Sequence, residues 1–283
     1  MKLLSFRIGG TAAFGALADG RVLDLTKVLN GKYADLLSVL RADAVEEIEK
    51  AARSGGPTYA VEEIEFLPVI PNPPKIICIG INYDTHRAEG GREPPTKPFV
   101  FARFANSQVG HAQPMLVPRE SGKFDYEGEI AVIIGKRGRR IAQADAWAHI
   151  AGYAPYNDGS VRDWQRHSPQ WVPGKNFVGT GAFGPWMATR GEIADNQELH
   201  LTTRLNGQVM QSASSHDMIF SIPALIEYCS TFTELEPGDV IVTGTPGGIG
   251  AARDPQVFLK DGDLVEVEVA EVGSLRNPVE AER

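Results

Sequence analysis

The amino-acid sequence predicts an α+β fold rich in β-strand, in which a mixed β-sandwich roll follows a small N-terminal α+β domain. Short apolar segments separated by turn signals dominate the chain after residue 70. Strands and helices do not alternate regularly, which argues against a doubly wound parallel sheet. The connector VIPNPPK is rich in proline, so we expect two domains, at residues 1–70 and 71–283.

The N-terminal domain is predicted to contain two strands and one helix. Residues 3–7 and 21–25 have the pattern of short strands, and Asp19-Gly20 marks a turn between them. Apolar residues recur at helical spacing and predict a helix over residues 33–53: Leu36, Leu37, Leu40, Val45 and Ile48. We assign no chemistry to this domain.

The second domain is predicted to consist mostly of short strands. We expect strands at residues 75–80, 99–102, 129–135, 199–205, 208–211, 240–243 and 264–269. Asn206-Gly207 separates two of these segments and predicts a hairpin. Two helices are predicted, at residues 142–149 and 222–230, the second with Ser221 as its N-cap.

Charge and composition restrict the partners of the protein. A net charge of −8 without a concentrated basic patch argues against nucleic acid and against an anionic membrane surface. No apolar run approaches the roughly 20 residues that span a bilayer, and the apolar stretch at the start of the chain is too short for the core of a signal peptide. We therefore expect a cytoplasmic protein whose partner is a small molecule.

Two glutamates stand at the head of DYEGEIAVIIG, a segment typical of a strand. Residues two apart on a strand share a face, about 7 Å apart, so Glu127 and Glu129 place like charges side by side. This is unfavourable unless a pKa rises or a cation lies between them. Asp158 in the loop YNDGS adds a third carboxylate, and this carboxylate trio has the chemistry of a site for Mg²⁺, Mn²⁺ or Ca²⁺. The alternative is a solvated strand face.

Other residues have the chemistry of an acid–base pair and an anion site. His86 and Glu89 share one face if residues 84–89 form a helical turn, and the carboxylate would then orient the imidazole as a general base. Lys175 lies beside a glycine, and Thr245 lies in a glycine-rich loop whose N–H groups can approach a ligand closely. The alternatives are a surface His–Glu pair and an ordinary glycine loop.

The order of the motifs is more specific than any one of them. The chain resembles the fumarylacetoacetate hydrolase family over about residues 71–270, in five segments: GINYDTHRAE, DYEGEIAVIIG, YNDGSVRDWQ, GKNF and VTGTPGGIG. The resemblance implies a roll like the C-terminal domain of that family, and a homodimer. It also implies an enzyme that hydrolyses, decarboxylates or isomerises a small diketo or 2-oxo acid at a Mg²⁺ or Mn²⁺ site.

The resemblance also implies roles for individual residues. The metal ligands would be the carboxylate trio, Glu127, Glu129 and Asp158, and the water-activating pair would be His86 and Glu89. Lys175 would act in catalysis by holding a carboxylate or a developing oxyanion. Further substrate contacts are expected at Gln165 and Thr245. Independently of the resemblance, the candidates for recognising a polar or carboxylated tail are Arg103, Arg162, Arg166, His167 and Trp171. For these arginines the alternative is surface ion pairing.

These roles lead to a main functional hypothesis and to alternatives. The main one is metal-dependent hydrolysis of the carbon–carbon bond of a 2,4-dioxo acid of the acylpyruvate type. Maleylpyruvate, fumarylpyruvate or a diketo-deoxy sugar acid would give pyruvate, or a related 2-oxo acid, plus a carboxylic acid. The alternatives are a 2-oxo acid decarboxylase acting on an oxaloacetate-like substrate, a dienoic diacid isomerase, and a non-catalytic binding module stabilised by Ca²⁺.

Overall fold

A computed structural model describes the whole chain, residues 1–283. The first part contains five strands, β1 (Lys2–Ile8), β2 (Thr11–Ala18), β3 (Arg21–Asp24), β4 (Thr58–Ala60) and β5 (Glu65–Phe66). Its helices are α1 (Leu25–Val28), α2 (Leu36–Arg41) and α3 (Val45–Arg53). A short 3₁₀ turn, Val61–Glu63, precedes β5.

The larger part is dominated by fifteen further strands. They are β6 (Ile76–Gly80), β7 (Phe99–Arg103), β8 (Gln108–Val109), β9 (Met115–Val117), β10 (Phe124–Asp125), β11 (Gly128–Ile134), β12 (Ile150–Asn157), β13 (Ser160–Val161), β14 (Gly181–Phe183), β15 (Met187–Thr189), β16 (His200–Leu205), β17 (Gln208–Ser214), β18 (Val240–Val242), β19 (Leu264–Val269) and β20 (Gly273–Ala281). Its helices are α4 (Asp84–Glu89), α5 (Arg162–Gln165), α6 (Val172–Lys175) and α7 (Ile222–Phe232).

The strands form two packed sheets and one small ribbon. The main sheet runs β4-β3-β2-β1-β15-β12-β11-β18-β6-β7, and the second sheet runs β17-β16-β19-β20-β9. Most neighbours are antiparallel, but β18 pairs with β6 in parallel. A core of 35 buried residues lies on the side of the second sheet, where residues of β11 such as Ile130 and Val132 pack with residues of β19 such as Val265 and Val267. The predicted β-rich α+β roll is confirmed.

The first part of the chain shares its sheet and its core with the rest. β1 pairs with β15, with Leu3 opposite Met187. One cluster of 24 buried residues contains Leu3 and Phe14 from the first part together with Ala131 and Val240 from the roll. The boundary near residue 70 stays a prediction, and no break in packing accompanies it.

Two predicted elements differ from the structure. The helix expected over residues 33–53 is two helices. Asp35 and Ser38 form a capping box that starts α2 at Leu36. Asp43 then adopts a left-handed φ of 53°, which ends the helical conformation before α3 begins. The segment Gln143–His149 is 3₁₀ rather than α-helix. No helix in the structure has both the length and the apolar character needed to span a membrane.

Candidate active site

The candidate active site lies where β11 and β12 pair. The strands are antiparallel with Gly128 opposite Asn157, so the residues flanking this pair meet. The Asp158 N–H donates to the Glu127 carbonyl at 2.8 Å, and the Glu127 N–H donates to the Asn157 side-chain oxygen at 3.0 Å. One carboxylate oxygen from each member of the trio consequently lies within 4.8 Å of the other two, and all three side chains are buried.

Glu127 does not lie on a strand, contrary to expectation. β10 ends at Asp125 and β11 begins at Gly128, so Glu127 occupies the short step between them. The hydrogen bonds to the end of β12, rather than a shared strand face, bring its carboxylate to the trio.

Three buried cations surround two of these carboxylates. Lys175 Nζ lies 2.6 Å from Glu127 Oε2 and 2.6 Å from Asp158 Oδ2. Arg162 Nη1 lies 2.6 Å from Glu127 Oε1, and Arg103 Nη1 lies 2.6 Å from Asp158 Oδ1. Every oxygen of Glu127 and Asp158 therefore faces a cation, which holds both groups in fixed positions.

Glu129 has no such partner. Its carboxylate accepts a hydrogen bond from the Gly244 N–H at 2.5 Å. Burial raises the pKa of Glu129 well above its usual value, and the negative charges of Asp158 and Glu127 raise it further. Burial also opposes ionisation of Glu127, but the neighbouring guanidinium and ammonium groups outweigh it and keep the pKa of Glu127 below its usual range.

The charge of the cluster fits a divalent cation. Together with Asp125, which pairs with Arg162 at 2.8 Å, the trio brings four carboxylates against three cations. The excess of one negative charge matches the raised pKa of Glu129. A divalent cation would turn this into an excess of one positive charge and relieve the repulsion on Glu129. Since all donors are oxygens, the set suits Mg²⁺ or Mn²⁺.

The His–Glu pair lies on α4, as the spacing predicts. His86 Nδ1 is 3.4 Å from Glu89 Oε2. The other oxygen of Glu89 accepts the Gly248 N–H at 2.6 Å, and the Thr85 hydroxyl accepts the Gly247 N–H at 3.0 Å. The glycine-rich loop therefore anchors α4 and its acid–base pair against the roll.

The hydroxyl group of Thr245 is hydrogen-bonded within the chain, whereas its backbone N–H is free. The hydroxyl donates to the Gly128 carbonyl at 2.9 Å and accepts from Gln211 Nε2 at 2.8 Å. The N–H of Thr245 has no acceptor in the chain. In the same loop Gly248 has a φ of 103°, and a Cβ there would lie 2.1 Å from the Met210 carbonyl oxygen, so a larger residue does not fit.

These groups line one inner cavity of about 190 Å³. This volume is below the roughly 300–1,000 Å³ of pockets for drug-sized ligands and suits a small organic acid. Eight of the predicted site residues line it: His86, Glu89, Glu127, Glu129, Arg162, Gln165, Lys175 and Thr245. Asp158 lies directly behind this wall with no exposed side-chain surface.

Comparison with known proteins identifies the family. Residues 75–280 match the family model described as fumarylacetoacetate (FAA) hydrolase C-terminal. The chain belongs to the fumarylacetoacetate hydrolase family. The solved structure of a fumarylacetoacetate hydrolase from Exiguobacterium antarcticum is 32% identical and superposes over all of both chains with a TM-score of 0.89. The family resemblance seen in the motifs is confirmed.

Relatives within the fumarylacetoacetate hydrolase family differ in reaction. The mitochondrial oxaloacetate tautomerase of Xenopus laevis is 41% identical over 238 residues, which cover 83% of this chain and 75% of that protein. A maleylpyruvate hydrolase from Sphingobium sp., solved with manganese(II) and pyruvate, is 25% identical over all of both chains with a TM-score of 0.83. The family therefore contains both tautomerases and hydrolases.

Arg103, predicted as a candidate for binding a polar tail, does not line the inner cavity. Its side chain is fully buried, and besides Asp158 it donates to the Gly159 carbonyl at 2.9 Å and to the Thr180 hydroxyl at 2.9 Å. Arg103 therefore positions a carboxylate of the trio. The roles of the other predicted residues in this family member stay predictions.

Asp125 is a site residue that the sequence analysis missed. Its carboxylate accepts from the N–H groups of Gly250 and Ala251, at 2.8 and 2.9 Å, and from Arg162 Nε at 2.8 Å. It thereby joins the glycine loop to the arginine beside Glu127. The signal was present, because Asp125, Glu127 and Glu129 alternate in DYEGE.

Proposed function

We propose that the protein is a divalent-metal-dependent tautomerase of a small 2-oxo acid of the oxaloacetate type. It would interconvert the keto and enol forms by moving a proton between C3 and the oxygen on C2. The observation that carries this proposal is the juxtaposition of the His86–Glu89 pair and the carboxylate trio in one small cavity. The identity of 41% to oxaloacetate tautomerases supports it.

The carboxylate trio would hold the metal ion, with Mg²⁺ and Mn²⁺ as the ions that fit its donors. When bound, the ion supplies positive charge beside the C2 oxygen, which lowers the cost of removing a proton from C3. Lys175 stays protonated beside it, because the charges of Asp158 and Glu127 outweigh burial and raise its pKa. Lys175 therefore acts as a fixed cation and not as a base.

The substrate carboxylate would be held by donors that lack partners within the chain. Arg162 donates to Asp125, Glu127 and Gln165, but its Nη2 is buried without a hydrogen-bond partner. A buried donor of this kind is costly unless a ligand accepts from it. The Thr245 N–H is a second free donor in the wall. Both suit an anionic acid.

His86 would carry the proton. With a proton on Nδ1 directed at Glu89, its Nε2 has a free lone pair and no partner in the chain. In the enol-to-keto direction, C3 gains one proton and the enol oxygen loses one, so the reaction consumes no water and releases no group. A histidine that alternates between its neutral and charged forms is sufficient for both transfers.

Hydrolysis of an acylpyruvate is the second candidate, because the maleylpyruvate hydrolase shares the whole fold. His86 would then deprotonate a water that attacks the C4 carbonyl. The C3–C4 bond breaks, C3 takes up a proton, and a 2-oxo acid and a carboxylic acid form. This reaction would need the metal ion for the same purpose and would also need a water molecule held beside the C4 carbonyl.

The test is the decay of enol-oxaloacetate absorbance in the presence of Mg²⁺ or Mn²⁺, measured beside hydrolysis of acylpyruvates. We expect tautomerisation above the uncatalysed rate. His86→Ala should lower it roughly 10²–10⁴-fold, the usual contribution of a positioned acid–base group, with metal binding retained. His200→Ala, on the exposed side of β16, is the matched control. Acylpyruvate hydrolysis without tautomerisation would replace the proposal by the second candidate.

A further inference from the structure

A second, outer cleft of about 780 Å³ opens beyond the inner cavity. The passage between them is formed by the residues that line both: Arg92, Phe101, Gln165, Arg166 and Trp171. No acidic side chain lines the outer cleft. The guanidinium groups of Arg92 and Arg166 have no carboxylate partner in the chain, unlike that of Arg87, which pairs with Asp84 at 2.8 Å.

Trp171 forms a fixed wall of the passage. Gly80 ends β6, and a Cβ at this position would lie 2.2 Å from Trp171 Cζ3, so the missing side chain makes room for the indole. Phe99 stacks beside the indole with 6.2 Å between ring centroids, and Phe101 meets it edge-on at 5.5 Å. The ring is thus held from several sides.

Arg92 lies over this ring. Its guanidinium carbon is 5.7 Å from the Trp171 centroid, within the range of a cation–π contact. Arg87 closes the loop that carries it, since Arg87 Nη1 donates to the Arg92 carbonyl at 2.6 Å and the Arg92 N–H donates back to the Arg87 carbonyl at 3.2 Å. The contact with Trp171 uses none of the guanidinium N–H donors, which remain for a carboxylate.

We propose that Arg92, placed by Trp171, and Arg166 form a subsite for the distal carboxylate of a dicarboxylic 2-oxo acid. This rests on the proposed function, because it requires the 2-oxo end of the substrate to lie against the trio and Arg162. Arg92 and Arg166 line the inner cavity as well as the outer cleft, so they would face the second carboxylate of a four-carbon acid bound there. The subsite selects dicarboxylic acids over monocarboxylic acids of the same length.

The test is calorimetric binding of malate and of 2-hydroxybutyrate to the Mg²⁺-loaded full chain. The two acids have four carbons and differ in the C4 carboxylate, and neither has a keto group to enolise. We expect tighter binding of malate, by roughly 10- to 100-fold, the range for hydrogen bonds to charged groups. Arg92→Gln and Arg166→Gln should each remove most of this difference and leave 2-hydroxybutyrate binding unchanged. Arg139→Gln, an exposed arginine outside both cavities, should change neither.

Two results would overturn the subsite. One is equal affinity of the unaltered protein for the two acids, and the other is an equal loss of both affinities in Arg92→Gln. The proposed function is tested separately by the enol assay. A malate preference that disappears in Arg92→Gln supports the subsite even if tautomerisation is absent, whereas tautomerisation without such a preference supports the reaction alone.

Discussion

Asp125 connects the two sides of the candidate site at the scale of a single residue. It is fully buried, and its two oxygens accept from Arg162 and from two N–H groups of the glycine loop. A carboxylate with this many donors is worth more than a surface ion pair, because none of the donors can turn to water if it is lost. Asp125 therefore positions Arg162 rather than contacting substrate.

Asp125→Asn tests this positioning role. The variant keeps the size of the side chain but loses the charge and one acceptor, so we expect the free energy of unfolding to fall by about 1–3 kcal/mol. Urea denaturation measures the loss. Asp19→Asn, in an exposed turn with a φ of 49°, is the control, since asparagine tolerates that conformation. Equal unfolding free energies for the two variants would show that Asp125 contributes no more than a surface acid.

Single residues also mark how far the sequence could predict the site. The trio was predicted from its residue types and from the family motifs, whereas the strand spacing that suggested it is not what brings Glu127 to the other two carboxylates. The pairing of Arg103 with Asp158 was not predictable, because 55 residues separate them and only the fold brings them together. The free N–H of Thr245 was not predictable either, because only the folded structure shows that no acceptor in the chain reaches it.

At the scale of elements, α4 is the short helix that carries the acid–base pair. It has six residues, and none of them is buried. A helix this short is unstable alone, so its position depends on the N–H groups of Gly247 and Gly248. Glu89 thus serves two purposes, since one oxygen anchors the helix and the other faces His86.

Two variants separate these purposes. Thr85→Val removes one anchor without touching His86, so we expect a higher KM and faster amide exchange at Gly247, with kcat little changed. Glu89→Gln keeps an acceptor for Gly248 but removes the charge facing His86, so kcat should fall by about 10²-fold. Steady-state kinetics and hydrogen exchange measure the two effects. The same kinetic change in both variants would show that anchoring and proton transfer cannot be separated.

Elements were predictable where pattern and geometry coincide. The alternation in DLVEVEV gives β19, and Asn206-Gly207 gives the hairpin of β16 and β17. β2 was missed because TAAFGALA shows no alternation, and its partners β1 and β3 define it as a strand. A single helix was predicted over residues 33–53 because the apolar spacing continues across Asp43. The capping box at Asp35 and the left-handed conformation of Asp43 divide this segment, and the apolar spacing does not show either of them.

At the scale of the whole molecule, the first part of the chain extends the main sheet of the roll. None of its residues lines the inner cavity or the outer cleft, so it acts on the site only through packing. The homodimer stays a prediction. Four apolar side chains are exposed near β7 and α6, namely Phe99, Val100, Phe104 and Val178.

His111 joins the two parts of the chain. Its ring meets that of Phe66, in β5, edge-on with 4.8 Å between centroids, and its Nδ1 accepts the Arg276 N–H, in β20, at 3.1 Å. Burial, reinforced by the positive charge of Arg276, lowers the pKa of His111 from 6.5 to about 4. A protonated ring could not accept the Arg276 N–H and would lie beside a like charge.

The lowered pKa of His111 predicts that the free energy of unfolding depends on pH. The folded state holds His111 neutral while the unfolded chain binds a proton near pH 6.5, so its stabilisation is present above pH 6.5 and is lost as the pH falls towards 4. Between pH 7 and pH 5 we expect a loss of about 1–2 kcal/mol, the upper figure being reduced by partial exposure. His111→Asn keeps an acceptor that does not titrate, so its unfolding free energy should fall less over this range. His200→Asn, which replaces an exposed histidine, should lose as much unfolding free energy as the unaltered protein. If His111→Asn also lost the same amount between pH 7 and pH 5, the acid sensitivity would belong to other groups.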